Sequence, residues 1–131
     1  MQERSKVVEI KGTKWRIDKV NALDGSSLIR KFVSTGKMDP QDFLSSMPDE
    51  QFNSIQAILL KNVFELQEVS GQIAAVPILL PANVVAGKAS DDPLLIFSLT
   101  VVALSFNLKS FLSENALKEF QEVEQIIKAL N

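Results

Sequence analysis

Few side chains in this chain of 131 residues could do covalent or metal chemistry. Cysteine, histidine and tyrosine are absent, which excludes thiol nucleophiles, disulfides, haem ligation, the usual zinc sites and every catalytic triad that uses histidine. The only adjacent acids, Asp49-Glu50 and Asp91-Asp92, could in principle form a general acid and base pair. Both pairs stand at the starts of predicted helices, where negative charge is stabilising, so a structural role is favoured.

Phosphate-binding loops are not indicated either. The five glycines stand at 12, 25, 36, 71 and 87, without the spacing of a glycine-rich phosphate loop. Ser26 and Ser27 follow Gly25 but do not form the nucleophile elbow of hydrolases. We therefore predict that the chain is not an enzyme and that it binds neither a cofactor nor a metal.

The net charge of −2 is unevenly distributed along the chain. Residues 1–37 contain nine basic and four acidic residues, whereas residues 38–131 contain five and twelve. The basic segment could bind nucleic acid, or it could decorate the solvent face of a small sheet and attract the acidic remainder. The second interpretation is favoured, since no aromatic interleaving accompanies the bases. The first residues also lack a signal-peptide run, so we expect a cytoplasmic protein.

Residues 7–19 have the alternating pattern of a β-hairpin, with Lys11-Gly12 as its turn. A two-residue turn pairs Ile10 with Thr13, Glu9 with Lys14 and Val8 with Trp15. The apolar members of both strands then share one face, which must lie on helices because an isolated hairpin is only marginally stable. These face residues are Val8, Ile10, Trp15 and Ile17. Trp15 is predicted to anchor the core rather than to stack on a ligand.

Residues 22–69 are predicted to form three helices. The first runs from Gly25 to Thr35, with Asn21 or Asp24 as its cap and Gly36 as its stop. The second begins with Asp39-Pro40 and reaches about Met47, and the third runs from Pro48-Asp49-Glu50 to about Val69. The residues predicted to face the core are Leu28, Ile29, Phe32 and Val33 in the first helix, and Phe52, Ile55, Leu59, Val63 and Leu66 in the third.

Residues 70–89 form an aliphatic segment that two prolines interrupt. Pro77 and Pro81 forbid a continuous helix, yet the segment is too apolar for an ordinary surface loop. Two explanations stay open. The segment could cover the core as an irregular buried loop, or it could be an apolar arm or strand that meets another chain.

Residues 90–112 contain the most apolar part of the chain, which has no charge from Pro93 to Leu108. Ser90-Asp91-Asp92 and Pro93 mark the start of a helix. Sixteen residues would reach only about 24 Å, short of a hydrocarbon core of about 30 Å. We therefore predict a central buried helix and no membrane partner, although the β-branched run Thr100-Val101-Val102 leaves a buried strand open.

Residues 113–130 are predicted to form the last helix, with Ser113 as its cap. Its apolar stripe consists of Leu117, Phe120, Val123, Ile127 and Leu130. Docking within the domain is the default, and a seam with another molecule is the alternative. The predicted fold is a single α+β domain over residues 1–131. It is predominantly α-helical, and its N-terminal β-hairpin packs on a bundle of about five helices.

Two stretches of the chain match motifs of a known family. The opening hairpin presents Val8-Glu9-Ile10, Gly12 and Lys14-Trp15-Arg16-Ile17, followed by Val20-Asn21-Ala22-Leu23-Asp24. The late stretch is Phe106-Asn107-Leu108-Lys109-Ser110-Phe111-Leu112. With these motifs the chain resembles the small tail assembly chaperones of long-tailed bacteriophages and prophages. Residues 71–89 have no counterpart in that pattern.

The resemblance implies a non-enzymatic role in the host cytoplasm. A tail assembly chaperone binds the long helical tape measure protein and helps recruit tail tube subunits; the alternative is a permanent structural or adaptor subunit of a virion or another assembly. Self-association into a homo-oligomer also stays open. Exposed aliphatic surface would serve such a partner. The candidate partner-binding residues are Ile73, Val76, Ile78, Leu79, Leu80, Val84, Val85, Phe120, Val123 and Ile127.

Overall fold

The computed structural model describes residues 4–35, 39–111 and 114–130. These residues form a mixed α+β fold with a four-stranded antiparallel sheet. The strands β1 (Ser5–Ile10), β2 (Thr13–Asp18), β3 (Val63–Val69) and β4 (Gln72–Pro77) lie in that order. Three helices stand between β2 and β3 in the chain, so the middle of the sheet joins segments that are distant in sequence.

The N-terminal hairpin has the predicted register. Ile10 lies opposite Thr13, Glu9 opposite Lys14 and Val8 opposite Trp15. Lys11 and Gly12 both have positive φ, as a two-residue turn with the twist of the sheet requires. Trp15 and Ile17 are fully buried, and the indole N–H of Trp15 donates to the carbonyl of Ile10 at 3.3 Å. Trp15 is therefore a core anchor, as predicted.

The helices before β3 are α1 (Ala22–Thr35), α2 (Pro40–Ser45) and α3 (Asp49–Leu60). Asn21 caps α1 by accepting from the backbone N–H of Asp24, and Asp39 caps α2 by accepting from two N–H groups. Leu28 and Phe32 of α1 are buried, but Ile29 is 38% exposed, so its predicted place in the core is wrong. At 100° per residue Ile29 lies beyond the edge of that stripe. Gly36 and the side chain of Val33 lie outside the described residues.

The prediction of a helix up to Val69 is wrong. The helix α3 ends at Leu60, and β3 and β4 follow as a second hairpin around Ser70-Gly71, both with positive φ. The helical spacing of Ile55 and Leu59 continues by coincidence to Val63, whose β-branched side chain suits a strand. In β3 that side chain is fully buried opposite Ile17, and burial in the sheet outweighs the helical periodicity.

Residues 70–89 do not form the irregular buried loop that one of the two interpretations predicted. After β4 the chain bends at Ile78 and forms a short ribbon of β5 (Leu79–Leu80) and β6 (Val84–Val85). The turn between them, Pro81–Asn83, contains two residues with positive φ. The N–H of Ile78 donates to the carbonyl of Val63, which ties the bend to the sheet. Half of this segment thus lies in strands, Ile78 and Ala89 belong to the core, and contact with another chain stays a prediction.

The last two helices are α4 (Pro93–Phe111) and α5 (Glu114–Leu130). The helix α4 packs against α1, α2, α3 and β2, which confirms its central position. Its buried side chains are Leu95, Leu99, Thr100, Ala103, Leu104, Asn107 and Leu108. None of the helices in the described part of the chain combines the length and the apolar character that a membrane span needs. Ser113, the predicted cap of α5, lies outside the described residues.

Candidate protein-binding surfaces

The acidic pair Asp91-Asp92 stands at the start of α4. The carboxylate of Asp92 accepts from the ammonium of Lys11 and, at 3.0 Å, from the backbone N–H of Leu95. These hydrogen bonds, that of Lys11 first, hold the pKa of Asp92 below its ordinary value. Asp92 therefore caps α4 and ties it to the turn of the first hairpin. Within the ranges that the structure describes, no cluster of acidic residues could hold a metal ion.

A buried carboxylate lies on the inner face of β3, at a position that no motif or spacing in the chain indicates. Glu65 is 3% exposed. Its carboxylate accepts from the amide of Gln67 at 2.7 Å and from the backbone N–H of Lys88 at 3.0 Å. Gly87 has φ +76°, and a Cβ built there would lie 2.7 Å from a carboxylate oxygen of Glu65. The segment after β6 therefore packs closely against Glu65, and the hydrogen bonds of this buried carboxylate hold that segment in place.

Seven predicted partner-binding residues lie in the segment from β4 to β6, and the structure divides them. Ile78 is 1% exposed, so it belongs to the core and cannot meet a partner, which corrects that assignment. Leu79 and Val85 are half-buried and pack against the core, and Val76 is half-buried on the inner side of β4. The remaining three, Ile73, Leu80 and Val84, are exposed.

The exposed three do not form one patch. Leu80 and Val84 are cross-strand neighbours at the tip of the short ribbon. Ile73 lies on the outer face of the four-stranded sheet, opposite Glu68 and near the Ser70-Gly71 turn. The same outer face presents Val7, Phe64, Leu66 and Ala75. The guanidinium of Arg16 lies 4.5 Å from the centre of the Phe64 ring and covers part of this apolar surface.

The helix α5 carries the largest described set of exposed aliphatic side chains. All ten residues from 121 to 130 are exposed. Val123 is 47%, Ile126 59%, Ile127 52% and Leu130 80% exposed. At 100° per residue these four share one side of the helix, and Glu122 and Glu124 flank it on either side. The side chain of Phe120, also predicted to bind a partner, lies outside the described residues.

Of the predicted stripe, Val123, Ile127 and Leu130 are exposed, the side chains of Leu117 and Phe120 lie outside the described residues, and Ile126 was missed. Ile126 lies three residues after Val123 and four before Leu130, so helical spacing alone could have found it. The described part of the stripe faces solvent, since Val123, Ile126, Ile127 and Leu130 are all exposed. Among the described residues, α5 thus presents the largest set of exposed aliphatic side chains on one side of an element.

Comparison with known proteins finds no family model, no curated protein and no solved structure that matches this chain.

Proposed function

We propose that this chain is a non-enzymatic tail assembly chaperone of a long-tailed phage or prophage, which acts in the host cytoplasm. In this role it binds the tape measure protein through α5 and helps recruit tail tube subunits. The observation that carries the proposal is the exposed stripe of Val123, Ile126, Ile127 and Leu130. The choice of the tape measure protein as partner rests on the motifs of the N-terminal hairpin and of the end of α4, which resemble that family.

The chemistry of α5 suits a long helical partner. A tape measure protein exposes apolar stripes along its helices, and an amphipathic helix pairs with such a stripe side by side. The flanking carboxylates of Glu122 and Glu124 favour partner helices whose own flanks carry Lys or Arg. The same carboxylates disfavour close approach of acidic helices.

The size of the stripe suits reversible binding. Burying what remains exposed of four aliphatic side chains contributes at most roughly 1.5–3 kcal/mol each, because three of them are already about half buried. The loss of translational and rotational freedom on association costs about 4–15 kcal/mol. The net affinity of one chain is therefore modest, and several copies along one tape measure protein would hold it together. A chaperone that must leave the finished tail needs such a balance.

The test is co-expression with the tape measure protein of the same phage or prophage. The variant Val123→Ser with Ile127→Ser removes exposed apolar surface and should keep the fold, because neither side chain is in the core. We expect the partner to become insoluble with this variant and to stay soluble with the unsubstituted chain. The matched control, Gln121→Ser with Gln125→Ser on the opposite side of the helix, should behave as the unsubstituted chain.

Two outcomes would contradict the proposal. If the Val123 and Ile127 variant keeps the partner soluble, α5 is not the binding site. If mass spectrometry finds the chain in purified phage particles, it is a permanent structural subunit, because a chaperone leaves the tail before completion.

A further inference from the structure

The two edge strands of the sheet differ in charge. The strand β1 carries Lys6 and Glu9, both exposed, which discourage pairing with another strand. The strand β4 contains no charged residue at all, and Ile73 in it is 74% exposed. An exposed, uncharged edge strand is an open template for one more strand.

The hydrogen-bonding pattern shows which residues of β4 offer that template. In an antiparallel pair the residues of a strand direct their N–H and C=O groups alternately to one neighbour and to the other side. Because the N–H of Ile78 donates to Val63 of β3, the residues Gln72, Ala74 and Val76 also bond to β3. Ile73 and Ala75 therefore point their backbone groups away from the sheet. Pro77, which has no N–H, occupies an outward position at the end of the strand, where proline is tolerated.

We propose that β4 pairs with β4 of a second copy of this chain, antiparallel, about a twofold axis that passes beside Ala74. In this register Ile73 of each copy lies opposite Ala75 of the other. Each of these residues exchanges both of its backbone hydrogen bonds with its partner residue, so every outward donor between them finds an acceptor. The two sheets then join into one sheet of eight strands.

The side chains support a second copy in this register. A twofold axis perpendicular to the sheet allows only pairs in which both residues lie on the same face. Centring on Ala74 places each Ile73 beside the small side chain of Ala75, and it brings no like charges together. Centring on Ala75 would place Ile73 opposite Pro77, which has no N–H to donate. Centring on Ile73 would set the two isoleucines directly against each other and leave Ala75 opposite the turn residue Gly71.

The pairing would also extend the apolar outer face. Leu66, Ala75 and Ile73 are neighbours on that face, and the twofold axis places the same residues of the second copy next to them. The dimer therefore shields Ile73, the most exposed aliphatic side chain of the sheet. This pairing uses none of the residues of the α5 stripe and stands independently of the proposed function.

A disulfide trap tests the register. The natural chain has no cysteine, so Ala74→Cys would carry a single thiol. Opposed residues of a non-hydrogen-bonded antiparallel pair have Cα atoms about 4.5 Å apart, within the range that a disulfide spans. We expect Ala74→Cys to form a covalent dimer under mild oxidation. The matched control Val7→Cys, on the charged edge strand, should stay monomeric at the same concentration; equal cross-linking of the two variants would overturn the proposal.

A charge substitution tests the dimer without a covalent bond. In sedimentation equilibrium we expect the unsubstituted chain to dimerise, and Ile73→Lys to raise the dissociation constant by roughly tenfold or more, the effect of losing about 1.4 kcal/mol. Val7→Lys, a similar change at the other edge, should leave the dissociation constant unchanged. An unsubstituted chain that stays monomeric, or a Val7→Lys variant that alone dissociates, would contradict the β4 pairing.

Discussion

The helices α4 and α5 are similar in length, with 19 and 17 residues, but they stand in opposite relation to the core. The helix α4 has apolar residues on every flank and is packed from several sides. The helix α5 has one apolar stripe, and its last ten residues are all exposed. A helix with apolar residues on every side is stable only when other elements pack around it, whereas an amphipathic helix can lie at the surface. The core therefore depends on α4, whereas α5 exposes the stripe on which the proposed function rests.

The polar residues of α4 sharpen this difference. The amide oxygen of Asn107 accepts from the backbone N–H of Val20 at 2.9 Å, and its nitrogen donates to the carbonyl of Ala103. Thr100 donates to the carbonyl of Ile96 and accepts from the side chain of Gln56. These two buried residues thus join α4 to neighbouring elements. Ser105, by contrast, is exposed, as are Leu94 and Lys109 of the same helix.

The largest expected effect is that of a charge in the middle of α4. Leu104 is fully buried, so Leu104→Asp places an unpaired carboxylate in the core and should cost more than about 4 kcal/mol, enough to unfold the chain. Circular dichroism and thermal unfolding measure it. Ile126→Asp, the same kind of change on α5, should keep the fold and the melting temperature. If both variants unfold, the contrast between the helices is wrong.

A smaller effect is expected from the buried amide. Asn107→Ala leaves the half-buried N–H of Val20 without its acceptor, and losing such a hydrogen bond costs about 1 kcal/mol. Denaturant unfolding measures the change. Ser105→Ala, on the exposed side of the same helix, should stay within about 0.5 kcal/mol of the unsubstituted chain. Equal effects of the two substitutions would mean that Asn107 does not join α4 to the end of β2.

The smallest effect is expected from the cap of α4, and it depends on pH. The pKa of Asp92 is lowered in the folded chain, chiefly by the hydrogen bond from Lys11. The unfolded chain therefore binds the proton more readily, so the stabilisation is fully present above the ordinary pKa of 3.8 and is lost as pH falls through the lower folded pKa. The stability of the unsubstituted chain should approach that of Asp92→Asn in acid. A difference that is the same at neutral and acidic pH would contradict this role of Asp92.

Local patterns predicted the first hairpin and α4 well. A two-residue turn fixes the register of the strands that it joins, so Lys11-Gly12 was enough to pair Val8 with Trp15. Most of the uncharged run from Pro93 to Leu108 is buried or half-buried, although Leu94 and Ser105 reach water. In both cases residues close in sequence determine the outcome.

The second hairpin was missed because its neighbours come from far away in the chain. Ile55, Leu59 and Val63 fit a helix as well as they fit α3 followed by a strand, and periodicity alone cannot separate the two. The turn residues Ser70-Gly71, between two alternating runs, were the signal that could have found it. The burial of Ile78 depends on the same hairpin. Because the hairpin was not predicted, Ile78 was wrongly assigned to a binding surface.

The position of three helices between β2 and β3 has a kinetic consequence. Each hairpin closes a short loop and can form within about 1–10 μs. Pairing of β2 with β3 requires the intervening chain to fold back first. Closing that long loop costs entropy before the stabilising contacts between the two strands have formed. Until then β2 and β3 each have one open edge, the edge that pairs in the finished sheet. The slowest step of folding should therefore be the docking of two preformed hairpins, and crowding of nascent chains at that moment would favour aggregation.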